Sequence, residues 1–144
     1  MCLHVIIKKI ETPTDKEYKA WKVFTEPKHT TIADVKFISP CVMGTKLKLD
    51  KWQKARKVKI TDDRMNPYLS GFHVFTSRAR AIKYATDITD VVLPVTVRKV
   101  RTRGMADWSP DFKSQSDCLV ADEIFIKSED LEKFYFKPLC AYQK

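Results

Sequence analysis

The most regular alternation of apolar and polar positions lies between residues 71 and 100, GFHVFTSRARAIKYATDITDVVLPVTVRKV. Gly71 breaks a polar stretch, and Phe72, Val74 and Phe75 then make a short apolar strand. Thr76 or Ser77 offers a hydroxyl that can accept from the first free helix amides. The spacing predicts a helix over about 78–85 that buries Ala81, Ile82 and Ala85 and leaves Arg78, Arg80 and Lys83 outside the stripe. Residues 87–90 turn the chain. Residues 91–100 are rich in β-branched side chains and read as a strand, with Val95 and Val97 alternating against Thr96 and Arg98. Pro94 has no N–H to give a ladder, so this strand is an edge, carries a bulge, or pairs only beyond Pro94.

The remaining pattern is mostly strand. Residues 3–10 form an apolar run that predicts an inner strand, with His4 packed and hydrogen-bonded inside it. Residues 18–25 alternate with aromatics on both faces. Shorter strands are expected at 35–39, at 46–49, and around Val58 and Ile60 after a turn or short helix. Asn66-Pro67 and Ser70-Gly71 are turn signals. Residues 104–117 are polar, include Trp108 and Pro110, and make a loop long enough to be a lid or binding loop. A strand follows at 118–126, a helical turn opens at Ser128-Glu129-Asp130, and Phe134, Tyr135 and Phe136 form an apolar clamp. Strands with one or two short helices predict a single α+β domain over residues 1–144. Its sheet is mixed or antiparallel and twisted, or a partly open barrel.

Charge adds a partner class to this outline. The chain of 144 residues has 27 Lys and Arg against 18 Asp and Glu, a formal net charge of +9. Such a balance favours polyanions: nucleic acid, a nucleotide or an acidic protein. Three glycines argue against a Gly-rich nucleotide loop. No apolar run approaches the ~20 residues of a membrane-spanning helix. Lys8 and Lys9 interrupt the N-terminal apolar run, so no signal-peptide pattern is present and a cytoplasmic protein is expected. Cys2, Cys41, Cys118 and Cys140 are scattered, which predicts reduced thiols and no metal site.

The chemistry-bearing candidates are few. There is no Gly-x-Ser-x-Gly, no His-Glu-x-x-His and no phosphate loop. The acid pairs Asp62-Asp63, Asp122-Glu123 and Glu129-Asp130 read as solvated charge with one member of each pair free. Cations and aromatics interleave from Lys46 to Arg64 around Trp52, and again from Arg98 through Arg101 and Arg103 to Trp108. Lys and Arg neutralise phosphates, and tryptophans can stack on bases. Arg101 and Arg103 should project together, with Arg98 opposite unless a bulge intervenes. His73 sits opposite Phe72 and Val74 on its strand and either reaches a pocket edge or makes a structural hydrogen bond.

Two resemblances add expectations. The run Gly71-Phe72-His73-Val74-Phe75, then Ala81, Tyr84-Ala85, Val92 to Val97 and Val120 to Ile126, resembles small, mostly uncharacterised bacteriophage and bacterial proteins. The resemblance implies a virus-encoded accessory protein that counters host defence by sequestering nucleotide signals or by binding nucleic acid or host proteins. The same half is distantly similar to ADP-ribosyltransferases. That similarity implies an enzyme using NAD, with Glu123 as the catalytic carboxylate and His73 near the nicotinamide strand. It lacks a first-strand Arg-Gly or His-Gly, since Val5 follows His4.

The expected function is therefore non-enzymatic binding of an anionic ligand, a nucleotide signal or nucleic acid, without a cofactor. Arg78, Arg80, Arg98, Arg101 and Arg103 would contact phosphate, Trp52 or Trp108 would stack, and His73 would line the site. The alternatives are the NAD-dependent transferase and an inhibitor that binds a host protein.

Overall fold

The structure is a computed structural model that describes residues 3–25, 37–40, 46–85, 88, 90–105 and 117–133; at 37–40 and 132–133 it describes backbone alone. Trp108 with most of its loop, the 134–136 clamp, the 26–31 loop and Cys2, Cys41 and Cys140 lie outside the described residues.

Among the described residues, ten strands and two helices run in the order β1 (Val5–Lys9), β2 (Tyr18–Thr25), β3 (Phe37–Pro40), β4 (Leu47–Lys48), β5 (Gln53–Lys54), β6 (Lys59–Thr61), β7 (Pro67–Leu69), β8 (Phe72–Phe75), α1 (Arg78–Tyr84), β9 (Asp90–Met105), β10 (Cys118–Phe125) and α2 (Glu129–Lys133). The main sheet follows β1-β9-β10-β8-β2-β3-β4, with β5 added on β10. A second pairing, β2 with β9, bends the path back on itself, so β9, β10, β8 and β2 form a partial ring. Every pairing is antiparallel. The molecule is a single α+β domain, the partly closed variant of the expected architecture.

β9 is the hub. Its first half pairs with β2 from Asp90 to Val97, its middle with β10 from Thr96 to Gly104, and its end with β1. Pro94 lies in the stretch where β2 is the paired neighbour and β10 has not yet joined, so its missing N–H breaks no ladder. The strand extends beyond its valine-rich part through Arg101 and Arg103 to Met105, because Thr102 and Arg103 have strand partners on both sides. β1 is an edge rather than an inner strand: among the described residues it pairs with β9 alone, and Ile7, Lys8 and Lys9 are exposed. Asn66-Pro67 leads directly into β7, where Pro67 opens the strand opposite Thr61. Of the expected turn or short helix before β6, the described residues show the turn: the chain bends at 49–51 and then enters β5.

Alternation packs three clusters. Phe24, Val91, Leu93, Val95, Val97 and Ile124 belong to the largest, inside the ring. Each such fully buried side chain contributes about 1.5–3 kcal/mol relative to exposure. Ala81 and Ala85 of the α1 region pack with Val23, Phe75 and Val92. The Ser77 hydroxyl caps α1 by accepting from the Arg80 amide at 3.2 Å. Leu3, Tyr68, Cys118 and Val120 make the third cluster. Among the described residues no helix is long and apolar enough to cross a membrane.

Candidate anion-binding junction

The site begins with a slip in alternation shared by two strands. On β9, Val91, Leu93, Val95 and Val97 enter the main core at every second position, and the next to enter is Val100, three residues on. On β10, Leu119 and Ala121 enter, then Ile124 and Ile126, again with one step of three. The cause lies in β9. Lys99 has left-handed backbone, φ 57 degrees, and just beyond it the register moves by one between Val120↔Thr102 and Ala121↔Val100, which leaves Arg101 as the extra residue. The extra residue makes a β-bulge. The Lys99 N–H leaves the ladder and donates to the Thr14 carbonyl at 3.0 Å, while the Ile10 N–H donates to the Arg101 carbonyl at 2.7 Å. Left-handed backbone at a lysine costs about 1–2 kcal/mol, which these bonds and the ion pairs below offset.

The residues left between the inward positions are Arg98 and Lys99 on one strand, Asp122 and Glu123 on the other. Both acids are buried, at 5% and 4% exposure, which corrects the expectation of a solvated pair with one free member. Glu123 Oε1 accepts from Arg98 Nε at 2.9 Å and Nη2 at 2.7 Å, and Lys99 Nζ lies 3.2 Å from Oε2. Burial pushes the Glu123 carboxyl up, but the bonds and charges of Arg98 and Lys99 outweigh it and hold it below its ordinary value. Asp122 Oδ2 accepts from Arg101 Nε at 2.6 Å and has Lys57 Nζ at 3.3 Å.

The second basic stretch arrives from the opposite edge of β10. Strand β5 pairs Lys54 with Glu123 and Gln53 with Ile124, and the Ala55 N–H donates to the Asp122 carbonyl at 2.7 Å. The preceding turn is anchored twice. The Gln53 side-chain amide exchanges two 2.7 Å bonds with the Lys48 backbone, and Asp50 Oδ1 accepts from the Ser128 N–H at 3.0 Å. Trp52 is thereby set over Arg98, 4.0 Å from guanidinium to ring centroid, with Phe125 tilted against it at 5.5 Å. Lys51, Lys54, Arg56 and Lys57 are exposed around this point. Two basic segments more than thirty residues apart in sequence thus meet over one acidic dipeptide.

No family model, curated protein or solved structure matches the chain.

The other expected site residues lie elsewhere. Arg80 places Nε and Nη2 on Asp117 Oδ2 at 3.0 and 2.7 Å, at the start of β10 rather than at its acidic pair. Arg78 lies over Trp21 at 5.8 Å. Arg103 opposes Leu119 and lies over Tyr18 at 5.4 Å, where Lys16 also sits at 5.2 Å. Arg101 and Arg103 therefore do not project together: Arg101 goes to Asp122 and Arg103 to Tyr18, while Arg98 and Arg101 end on adjacent acids. His73 is buried. Its Nδ1–H donates to the Gly71 carbonyl at 3.2 Å, and its Nε2 accepts from the Tyr68 hydroxyl at 3.0 Å, which itself accepts from the Leu3 N–H at 2.8 Å. Burial first, then the charges of Lys22 and the N-terminus, push His73 down to about 3, so it is neutral in the fold. It opposes Val120 and belongs with the Tyr68 cluster, apart from Glu123. His4 is half-buried and pairs with Asp63 at 2.8 Å. Burial pushes the Cys118 thiol up to about 12, which removes it as a nucleophile. Among the described residues no group of His, Cys, Asp and Glu is placed to hold a metal ion.

Asp122, Lys57 and Lys99 are the members that sequence reasoning missed, and Glu123 was named there only as the catalytic carboxylate of the transferase alternative. Their signal was a charged dipeptide inside each of two apolar strands, Val97-Arg98-Lys99-Val100 and Ala121-Asp122-Glu123-Ile124.

Proposed function

We propose that the protein is a non-enzymatic binding protein for a phosphate-bearing anion, a nucleotide signal or nucleic acid, and that it serves a virus as a counter-defence protein in the host cytoplasm. The observation that carries the binding reading is the meeting of the 46–64 and 98–101 basic segments at β10. Four cations, Lys57, Arg98, Lys99 and Arg101, face two carboxylates there, with Lys51, Lys54 and Arg56 exposed beside them. Trp52 supplies an aromatic surface at the same place. Glu123 has both carboxylate oxygens engaged by Arg98 and Lys99, which favours binding over group transfer. The viral setting rests on the sequence resemblance of the Gly71 to Phe75 strand.

The test has two parts. A panel of nucleotides, cyclic dinucleotides and NAD is screened for a shift in melting temperature, since a ligand bound to the folded state stabilises it by mass action. Anisotropy of a labelled oligonucleotide is then followed against salt. A nucleic-acid ligand should weaken linearly on logarithmic axes, with a slope of about −0.7 per phosphate contact for a single strand. The double variant Lys54→Glu/Lys57→Glu should bind at least about tenfold more weakly, because charge-assisted bonds are each worth about 1.5–3 kcal/mol. Wild-type affinity in that variant would remove the junction as the site.

A further inference from the structure

We infer that Asp122 is a positioning residue of a phosphate seat whose contact groups are Arg101 and Lys57. The inference rests on the binding function proposed above and says how the same surface takes hold of its ligand. A carboxylate beside an anion site opposes the ligand by charge, so its burial among cations calls for a positive role. Arg101 and Lys57 arrive from different segments, on the two sides of β10, and both end on the same oxygen, Asp122 Oδ2, at 2.6 and 3.3 Å. Convergence on one atom brings the two cations within reach of one small anion. Arg101 uses Nε alone, so both terminal guanidinium nitrogens are without a hydrogen-bond partner among the described residues. An ammonium has three donors, and Lys57 directs its charge at a single carboxylate. The Lys57 and Arg101 side chains are 44% and 29% exposed, against 7% for Asp122. The carboxylate thus lies beneath and the unused donors lie toward solvent. A guanidinium held through Nε presents its terminal edge as a fork, the geometry that matches two oxygens of a phosphate ester.

Simple electrostatics and positioning make opposite forecasts for Asp122→Asn. The substitution keeps the shape and raises the net charge by one. If Asp122 only opposes the ligand, binding should tighten. If it aims Arg101 and Lys57, binding should weaken in spite of the added charge. The measurement is anisotropy of labelled oligothymidylate, with ATP as unlabelled competitor and a melting curve for each protein. We expect at least tenfold weaker binding for Asp122→Asn, and a salt slope smaller by about 0.7 as one phosphate contact is lost. Arg101→Lys keeps the charge but loses the fork and should weaken binding by a similar factor. This second variant decides the matter if Asp122→Asn is found unfolded. Competition by ATP would identify an isolated phosphate group as sufficient; failure to compete would identify a phosphodiester strand; each is a form of the seat. Wild-type or tighter binding by Asp122→Asn, or wild-type binding by Arg101→Lys, overturns the seat while leaving the binding function standing. Absence of binding by the wild-type protein overturns both.

Discussion

Glu123 and His73 respond to acid for different reasons, and both make the fold acid-sensitive. The folded Glu123 carboxyl lies below its ordinary 4.5 because Arg98 and Lys99 outweigh burial. Its contribution is complete above that ordinary value and is lost as pH falls through the lower folded one. Glu123→Gln should therefore flatten the acid limb of a plot of melting temperature against pH, and destabilise the neutral protein by about 1–3 kcal/mol as two cations lose their charge-assisted acceptor. His73 is lowered from 6.5 to about 3. Between those values the unfolded chain takes up a proton that the folded one refuses, so stability falls as pH drops from about 6.5 toward 3. Tyr68→Phe tests the hydrogen-bond chain that holds this histidine. It strands the Leu3 N–H and His73 Nε2, and an unsatisfied buried group costs about 1–3 kcal/mol. Chemical denaturation of the variant should show a loss in that range or above; an unchanged midpoint would mean that the chain contributes nothing.

The bulge in β9 is the element on which the junction depends. A β-branched side chain suits the left-handed region worse than lysine does, and glycine suits it best. Lys99→Gly should stay within about 1 kcal/mol of wild type, since Arg98 still holds the buried Glu123 and the relieved backbone offsets the lost Lys99 ion pair. Lys99→Val should fall about 1–2 kcal/mol below the glycine variant. Equal midpoints for the two would contradict the left-handed backbone at Lys99. Much of this level was legible in the chain. The limits of β2, the Ser77 cap and the Ala81 stripe follow from local pattern, since alternation and capping are properties of neighbouring residues. The strand status of residues 101–105 was not legible, because Thr102 and Arg103 are strand residues by virtue of partners in β1 and β10. The site was half legible for the same reason. Arg98, Arg101 and Trp52 could be named from charge and aromatic content, but pairing decided which arginines meet. Arg103 and Arg80 were separated from them by register, and two acids taken for solvated charge proved to be the centre.

At the scale of the molecule, the ring has one slender seam. β8 meets β2 through the single facing pair Trp21↔Phe75, so the closure leans on the firm pairing of β8 to β10 on its other side. Gly71 stands at the entrance to β8, where a Cβ would lie 2.5 Å from the Ala121 carbonyl oxygen. Gly71→Ala must push β8 away from β10 and should lower stability by about 1–3 kcal/mol, the range of overpacking; a melting temperature equal to wild type would show that the seam has slack. The hub position of β9 also sets an order of events during synthesis. Tyr18 faces Val97 and Val5 faces Met105, so β1 and the longer-paired edge of β2 must wait for a partner made much later. Until β9 emerges, β1 and the edge of β2 that β9 will cover stay unpaired, the state in which nascent chains aggregate or recruit chaperones. Slowed translation between β2 and β9 should therefore lower the yield of folded protein more than the same delay placed after β9.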